Sequence, residues 1–298
     1  MTQTSANNQN DSNSGTLTTN SAPGSGSCSA CGHASPAKAS PSVVNYVYAL
    51  GRVEPLFPRQ SIEKEFAQLV AREDTNGLTD RQTQHKVLSQ RSSRYLARQM
   101  CWSFNVEGLE TYLLIPRDPG DVEALVEALR PEPSRLDLDV VVGSLGPIAP
   151  PDFCNGVQLP IVVFDQIYSF DWETLIEAIP RPKEADPELF RQASSELLDR
   201  VLQMADNSGS TDGDRALNYL TVRYPAIYLR VVDAYSRNCS LSGVSANLSN
   251  LGGPRKIVDV VFSFVDRRTD VTDKFLVRVD VSDEFPFLVT KLSPYYDR

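Results

Sequence analysis

Residues 101–117 read CWSFNVEGLETYLLIPR. Apolar and polar side chains alternate on both sides of Glu107-Gly108, and that pair suits a tight turn, so the stretch predicts two antiparallel strands of a hairpin. Working outward from it decides the fold class. Upstream, SVVNYVYALG is a β-branched and aromatic run ending at Gly51, which predicts a strand. Ser61 is placed to cap a helix that carries Ile62, Phe66, Leu69 and Val70 on one side. Thr79 and Gln82 have capping-box spacing, and the helix they open is expected to run to about Met100. Downstream, Asp118-Pro119 opens a helix striped with Val122, Leu125, Val126 and Leu129. LDVVVG and LPIVVFDQIYSF then supply strands on either side of the Pro-rich loop GPIAPPDFCNG, and a short helix follows Asp171. Strands and helices mix without strict alternation, which predicts an α+β fold instead of a doubly wound sheet.

The stretch PRPKEADPE interrupts this pattern with prolines and charges, and it reads as a boundary between two lobes, 42–180 and 181–298. Asp186-Pro187 starts a long helix whose stripe is Phe190, Ala193, Leu197, Val201 and Met204. Thr211 starts the next helix, Pro225 ends it, and a third passes through Ile227, Val231 and Tyr235. The rest is β. Val258, Val260, Phe262 and Phe264 share one face of KIVDVVFSFVD, while Phe275, Val277, Val279 and Val281 share one face of KFLVRVDVS. RRTDVTD can turn the chain between them, so an antiparallel hairpin or meander is expected to lie on the helices. Residues 1–41 contain no aromatic residue and carry charge only at Asp11 and Lys38. They cannot bury enough apolar surface to offset the entropy of ordering, and they read as a disordered tether.

The 298 residues are 41% hydrophobic, enough to bury a core in each lobe, and the formal net charge is -9. An anionic chain is a poor counterion for phosphates, which argues against nucleic-acid binding. There is no apolar run of membrane-crossing length and no secretion signal at the amino terminus, so a cytoplasmic protein without a membrane anchor is expected. Five cysteines, at 28, 31, 101, 154 and 239, have the wrong parity and spread for a secreted disulfide framework, and reduced thiols are the default.

No complete catalytic constellation is present, nor any Gly-x-Ser-x-Gly elbow, Walker loop or dinucleotide fingerprint, and no cofactor is implied. Cys28, Cys31 and His33 offer half of a zinc site that Cys101, Cys154, Cys239 or a second copy of the chain would have to complete, stapling a homodimer in the last case. The alternative is unpaired thiols in a linker. Cys154, in its Pro- and Gly-rich loop, is the best thiol nucleophile, with His85 as its base and Asp152 nearby in sequence. GSLGPIAPP could present backbone amides to an anion or be a shaped loop. Asp280 with Asp283 and Glu284 could form a carboxylate pair, although acidic side chains are abundant on a solvated surface. One patch opposes the overall charge: Arg91, Arg94 and Arg98 fall on one side of the helix expected to end at Met100, beside a face of Leu88, Ser92, Tyr95 and Gln99 that would meet the core. Such a cationic stripe suits an acidic peptide, the alternative being a solvated helix face with intramolecular ion pairs.

NYVYALGRVEP, GLTDRQTQHKVLSQRSSRYLARQMCW, EGLETYLLIPRDP, GPIAPPDFCNG, PIVVFDQIYSF, MADNSGSTDGDRALNYLTVRYPAIY and TDVTDKFLVRVDVSDEFPFLVTKLSPYYDR occur in that order. Over Val43 to Arg298 the chain resembles the PatG domain followed by the PatG C-terminal domain of cyanobactin maturation proteins. In that family these domains follow a subtilisin-like protease or macrocyclase, and their own role is unassigned, so no catalytic residue carries over. Subtilase-like His-Gly-Thr and Gly-Thr-Ser-x-Ala segments are missing here, and protease activity is not inherited. The chain is either a free-standing product or a fragment that begins in an interdomain linker. The resemblance implies a non-catalytic binding or scaffold module in ribosomal-peptide maturation. Its partners would be a precursor peptide, whose leader in such pathways is an acidic amphipathic helix, or the maturation enzymes. The competing expectations are acyl transfer by Cys154 and His85, and a zinc-stapled dimer.

Overall fold

The hairpin forms where the sequence places it: β2 is Cys101–Val106 and β3 is Leu109–Pro116, joined through Glu107 at φ 52° and Gly108 at φ 81°. Left-handed backbone at both turn positions is what a two-residue hairpin of this hand requires. Around it stand β1 (Tyr46–Leu56), β4 (Leu138–Ile148) and β5 (Pro160–Phe170), and the five strands close into a barrel in the order β1-β2-β3-β5-β4. β3 and β5 are parallel, and every other pair is antiparallel. This order and parallel pair are those of a five-stranded Greek-key barrel. The strands are strongly staggered. Glu54 pairs with Ser103, Ser103 with Leu113 and Leu113 with Ile161, yet Val162 pairs with Leu145, whose amide donates to Asn45 and not to a residue near Glu54.

The computed structural model describes residues 44–131, 136–179, 186–202, 207–251 and 253–296. The tether read over 1–41, the boundary at 180/181, Cys28, Cys31, His33 and Met204 lie outside them. The described residues belong to one contact unit, Val43–Arg298.

Both faces of β1 and β4 are covered, which explains their unbroken apolar runs. Val47, Ala49 and Val141 point into the barrel with Phe104, Leu114 and Phe164. Tyr48, Leu50, Val140 and Val142 point outward, against α6 (Pro187–Leu202), α7 (Asp212–Arg223) and α8 (Ala226–Ser236). The same three helices cover one face of an antiparallel sheet of β6 (Cys239–Leu248), β7 (Ile257–Asp266), β8 (Thr272–Asp280) and β9 (Phe287–Tyr295). The expected faces meet there: Val258, Val260, Phe262 and Phe264 of β7, and Val277 and Val279 of β8 with Val281 just beyond it, are buried. The fold is mixed α+β, as the sequence predicts.

Local signals set most helix starts. Thr79 and Gln82 form a reciprocal capping box on α2 (Asp80–Leu88), and Thr211 does the same with Asp214 on α7. Asp118 accepts from the Gly120 amide ahead of α4 (Val122–Glu127), and Asp171 accepts from Thr174 at α5 (Trp172–Ala178). Three expectations need correction. β1 runs on past Gly51 to Leu56 because Arg52 to Leu56 pair with β2. α1 (Gln60–Val70) begins after an Arg59 cap, two residues ahead of Ser61. GSLGPI belongs to β4, with Gly143 close against Val163 and Phe164 of β5, so it does not form a phosphate-type nest.

Candidate functional site

The helix expected to carry Arg91, Arg94 and Arg98 stops at Leu88. Gln90 is extended (φ -68°, ψ 138°), Arg91–Ser93 form one 3-10 turn, and α3 (Arg94–Ala97) follows. Serines favour such a break because their hydroxyls compete for nearby backbone groups; Ser89 Oγ donates to the Lys86 carbonyl at 3.3 Å. Burial decides the matter. A straight helix would turn Ser92, Tyr95 and Gln99 to the core; the break turns in Ser93, Leu96, Ala97 and Met100, and leaves Ser92, Tyr95 and Gln99 exposed. The three arginines therefore do not form one helical stripe, although all are exposed. Arg94 is paired with Glu123 of α4 at 2.6 Å, across a small cleft that Arg98 also lines.

Arg98 stands at the mouth of a larger groove of about 710 Å³. One lip is the start of β2, Met100 to Trp102, and the other is the end of β3, Leu113 to Pro116. The segment before α1 contributes Pro58 and Arg59, and the β4–β5 loop contributes Asp152, Phe153 and Cys154. Phe153 is 37% exposed. Arg59 and Arg98 are exposed and engage no carboxylate among the described residues, so two cations and one acid, Asp152, frame a mainly apolar trough. The hairpin pattern places the two lips but not the groove, because Pro58, Arg59 and the Asp152–Cys154 loop reach them only through the barrel register.

The thiol dyad does not form. Cys154 is bonded to Cys101 with a Cα–Cα separation of 5.8 Å, and both are buried. A disulfide sulfur is no nucleophile. The default of reduced thiols is corrected with it: the stagger that brings the β4–β5 loop to the start of β2 places the two cysteines together, and Cys239 is free and buried. Cys154 and Asn155 hold left-handed backbone (φ 48° and 57°) ahead of Gly156 (φ 85°). His85 lies 3.9 Å from Glu127 of α4. Among the described residues no group of three or more His, Cys, Asp or Glu side chains could hold a metal.

The acidic triplet near the carboxyl end divides. Asp280 is buried and faces Arg255 at 3.3 Å, with its Oδ1 accepting from the Ser282 amide. Glu284 instead meets Asp165 of β5, and Arg117 spans both, 2.6 Å from Asp165 and 3.8 Å from Glu284. Burial first, then the Asp165 contact, pushes the Glu284 carboxyl up to about 7. Within the barrel wall, burial also raises the Asp139 carboxyl, against the lowering effect of hydrogen bonds from the Val53 amide and Ser169 and of the nearby Arg81 charge. These groups tie elements together and do not line the groove.

Residues 184–295 match the protein family described as PatG C-terminal. A solved structure titled "PatG Domain of Unknown Function" is similar with a TM-score of 0.67 and 22% identity, covering 84% of this chain and 98% of its own. At that identity the likeness is one of fold. No curated protein matches the chain. No helix among the described residues is long and apolar enough to cross a membrane.

Proposed function

We propose, with the PatG C-terminal match of residues 184–295 as the premise, that this chain is a non-catalytic binding module in the maturation of ribosomally made peptides, and that it recognises an acidic peptide at the groove beside Arg98. The observation that carries the reading is the pair of guanidiniums, Arg59 and Arg98, that have no carboxylate partner among the described residues and stand over an apolar trough on a chain of net charge -9. Charge-assisted, bidentate contacts to carboxylates are what such arginines supply. Five-stranded barrels of this strand order commonly bind ligands across β2 and β3 and the flanking loops, and here those elements form the groove; that support is an analogy of fold. The partner is a precursor peptide or an acidic segment of a maturation enzyme. A cytoplasmic setting belongs to the same proposal and carries a tension, since disulfides are uncommon in that compartment.

The test is titration of a synthetic acidic leader peptide of the cyanobactin type into wild type and single Arg→Ala variants. Arg98→Ala should weaken binding by about tenfold, equivalent to about 1.4 kcal/mol. Arg94→Ala should weaken it less because Glu123 already engages that side chain, and Arg91→Ala least because it lies off the groove. Equal affinities for all variants would remove this surface.

A further inference from the structure

The barrel is split at the groove. β2 extends back to Cys101 and β3 forward to Pro116, yet their pairing stops at Ser103 with Leu113. Each lip is nevertheless held on its far side. Cys101 and Trp102 pair with Leu56 and Pro55 of β1, and Trp102 Nε1 donates to the Ala97 carbonyl at 3.2 Å. Leu114, Ile115 and Pro116 pair in parallel with Val162, Val163 and Phe164 of β5. Their edges facing across the groove have no strand partner among the described residues. A fixed strand edge with free backbone groups is a template for another strand.

The geometry points to a docking mode that rests on the peptide-binding reading above: an extended peptide enters this seam as an added strand, pairing its backbone with the free edge of β3 at the Leu114 amide and the Leu114 and Pro116 carbonyls while a flanking carboxylate meets Arg98 or Arg59. Three features select that occupant. The walls supplied by Leu113, Ile115, Trp102 and Phe153 take alternate apolar side chains. The mouth carries two cations, Arg59 and Arg98, that engage no carboxylate among the described residues. Pro116 has no amide to donate, so the ladder is short and ends there, which fits a recognition segment of a few residues instead of a whole sheet strand. An acidic amphipathic helix is a poorer fit, because a helix satisfies its own backbone and would leave both edges bare. A single-stranded nucleic acid would offer bases to stack, but its phosphates would approach a chain of net charge -9.

The probe is a fluorescein-labelled peptide of sequence Val-Thr-Val-Tyr-Val-Ser-Asp-Glu, with a set of single N-methylated versions and labelled oligo-dT alongside. Strand insertion predicts saturable binding, slower exchange of the Leu114 amide in the complex, and a loss of about tenfold or more on N-methylation at one or more positions of the apolar run. Arg98→Glu should weaken the probe and restore binding to a version ending in Lys-Lys. Binding with unchanged amide exchange and indifference to every N-methyl group overturns strand insertion while leaving the peptide-binding reading in place. No binding of the probe up to about 1 mM, or preferential binding of oligo-dT, overturns the inference; silence of the acidic leader peptide as well would remove the broader reading.

Discussion

Cys101 and Cys154, 53 residues apart in sequence, are bonded to each other in the wall of the groove. In the chain-entropy account a closed loop of that length contributes about 4 kcal/mol by restricting the unfolded chain. Cys154→Ser, or reduction of the wild type, should therefore lower the urea midpoint and steepen the slope, because the unbridged unfolded chain exposes more surface. Thiol counts in denaturant supply the check: Cys101 and Cys154 should titrate only after a reductant is added. Full titration without one would contradict the bridge.

Gly209 docks the start of α7 on the barrel. Its carbonyl accepts from the Tyr48 amide at 2.9 Å, its φ is +77°, and an added Cβ would lie 2.4 Å from the Tyr48 carbonyl oxygen. Gly209→Ala should cost about 3 kcal/mol or more, from left-handed backbone and collision together. Gly77 is the control, with φ +76° and nothing within 4 Å of its Cβ position. Gly77→Ala should cost only about 1 kcal/mol. Equal losses in the two variants would mean that the close approach to β1 contributes nothing.

Arg215 is 2% exposed, and it donates to the backbone carbonyls of Val281, Asp283 and Glu284. Arg215→Met leaves these acceptors without their donor and should destabilise the protein by about 2–4 kcal/mol. Arg215→Lys should recover only part of this, since an ammonium cannot reproduce the planar fork. Hydrogen exchange should localise the loosening to residues 281–286. A full recovery with Lys would show that charge alone matters at this position.

Glu284 sets a pH dependence whose sign is fixed by its raised carboxyl. Folded, it holds its proton to about 7; unfolded, it releases it near the ordinary 4.5. Between those values the folded state binds the extra proton, so this contribution is complete below 4.5 and is lost as pH rises through about 7. Asp165, Arg117 and Arg215 are the charged groups around it, and Arg117 moderates the effect. Urea melts at a series of pH values from 4.5 to 8 should show wild type losing stability relative to Glu284→Gln as pH rises. Parallel curves would assign the slope to other groups.

Local signals made much of this fold legible. Glu107-Gly108 specifies its turn through backbone hand, Thr79 and Thr211 their helix starts through side-chain caps three residues long, and the alternation in β7 and β8 the face that meets the helices. Each depends on neighbours within a turn or two of chain, so periodicity and capping reveal it. The PatG likeness was also carried by the order of segments along the chain.

Tertiary structure decided the rest. The break after Leu88 follows from which side chains the barrel core can bury, because helical propensity by itself would have continued toward Met100. The Cys101–Cys154 bridge, the Glu284–Asp165 contact and the placing of Arg59 and the Asp152–Cys154 loop on the groove all join residues far apart in sequence, and their meeting is set by the stagger of five strands around a closed barrel. Register is a property of paired strands, and a slip of one residue would move every side chain to the other face, so no single segment contains that information.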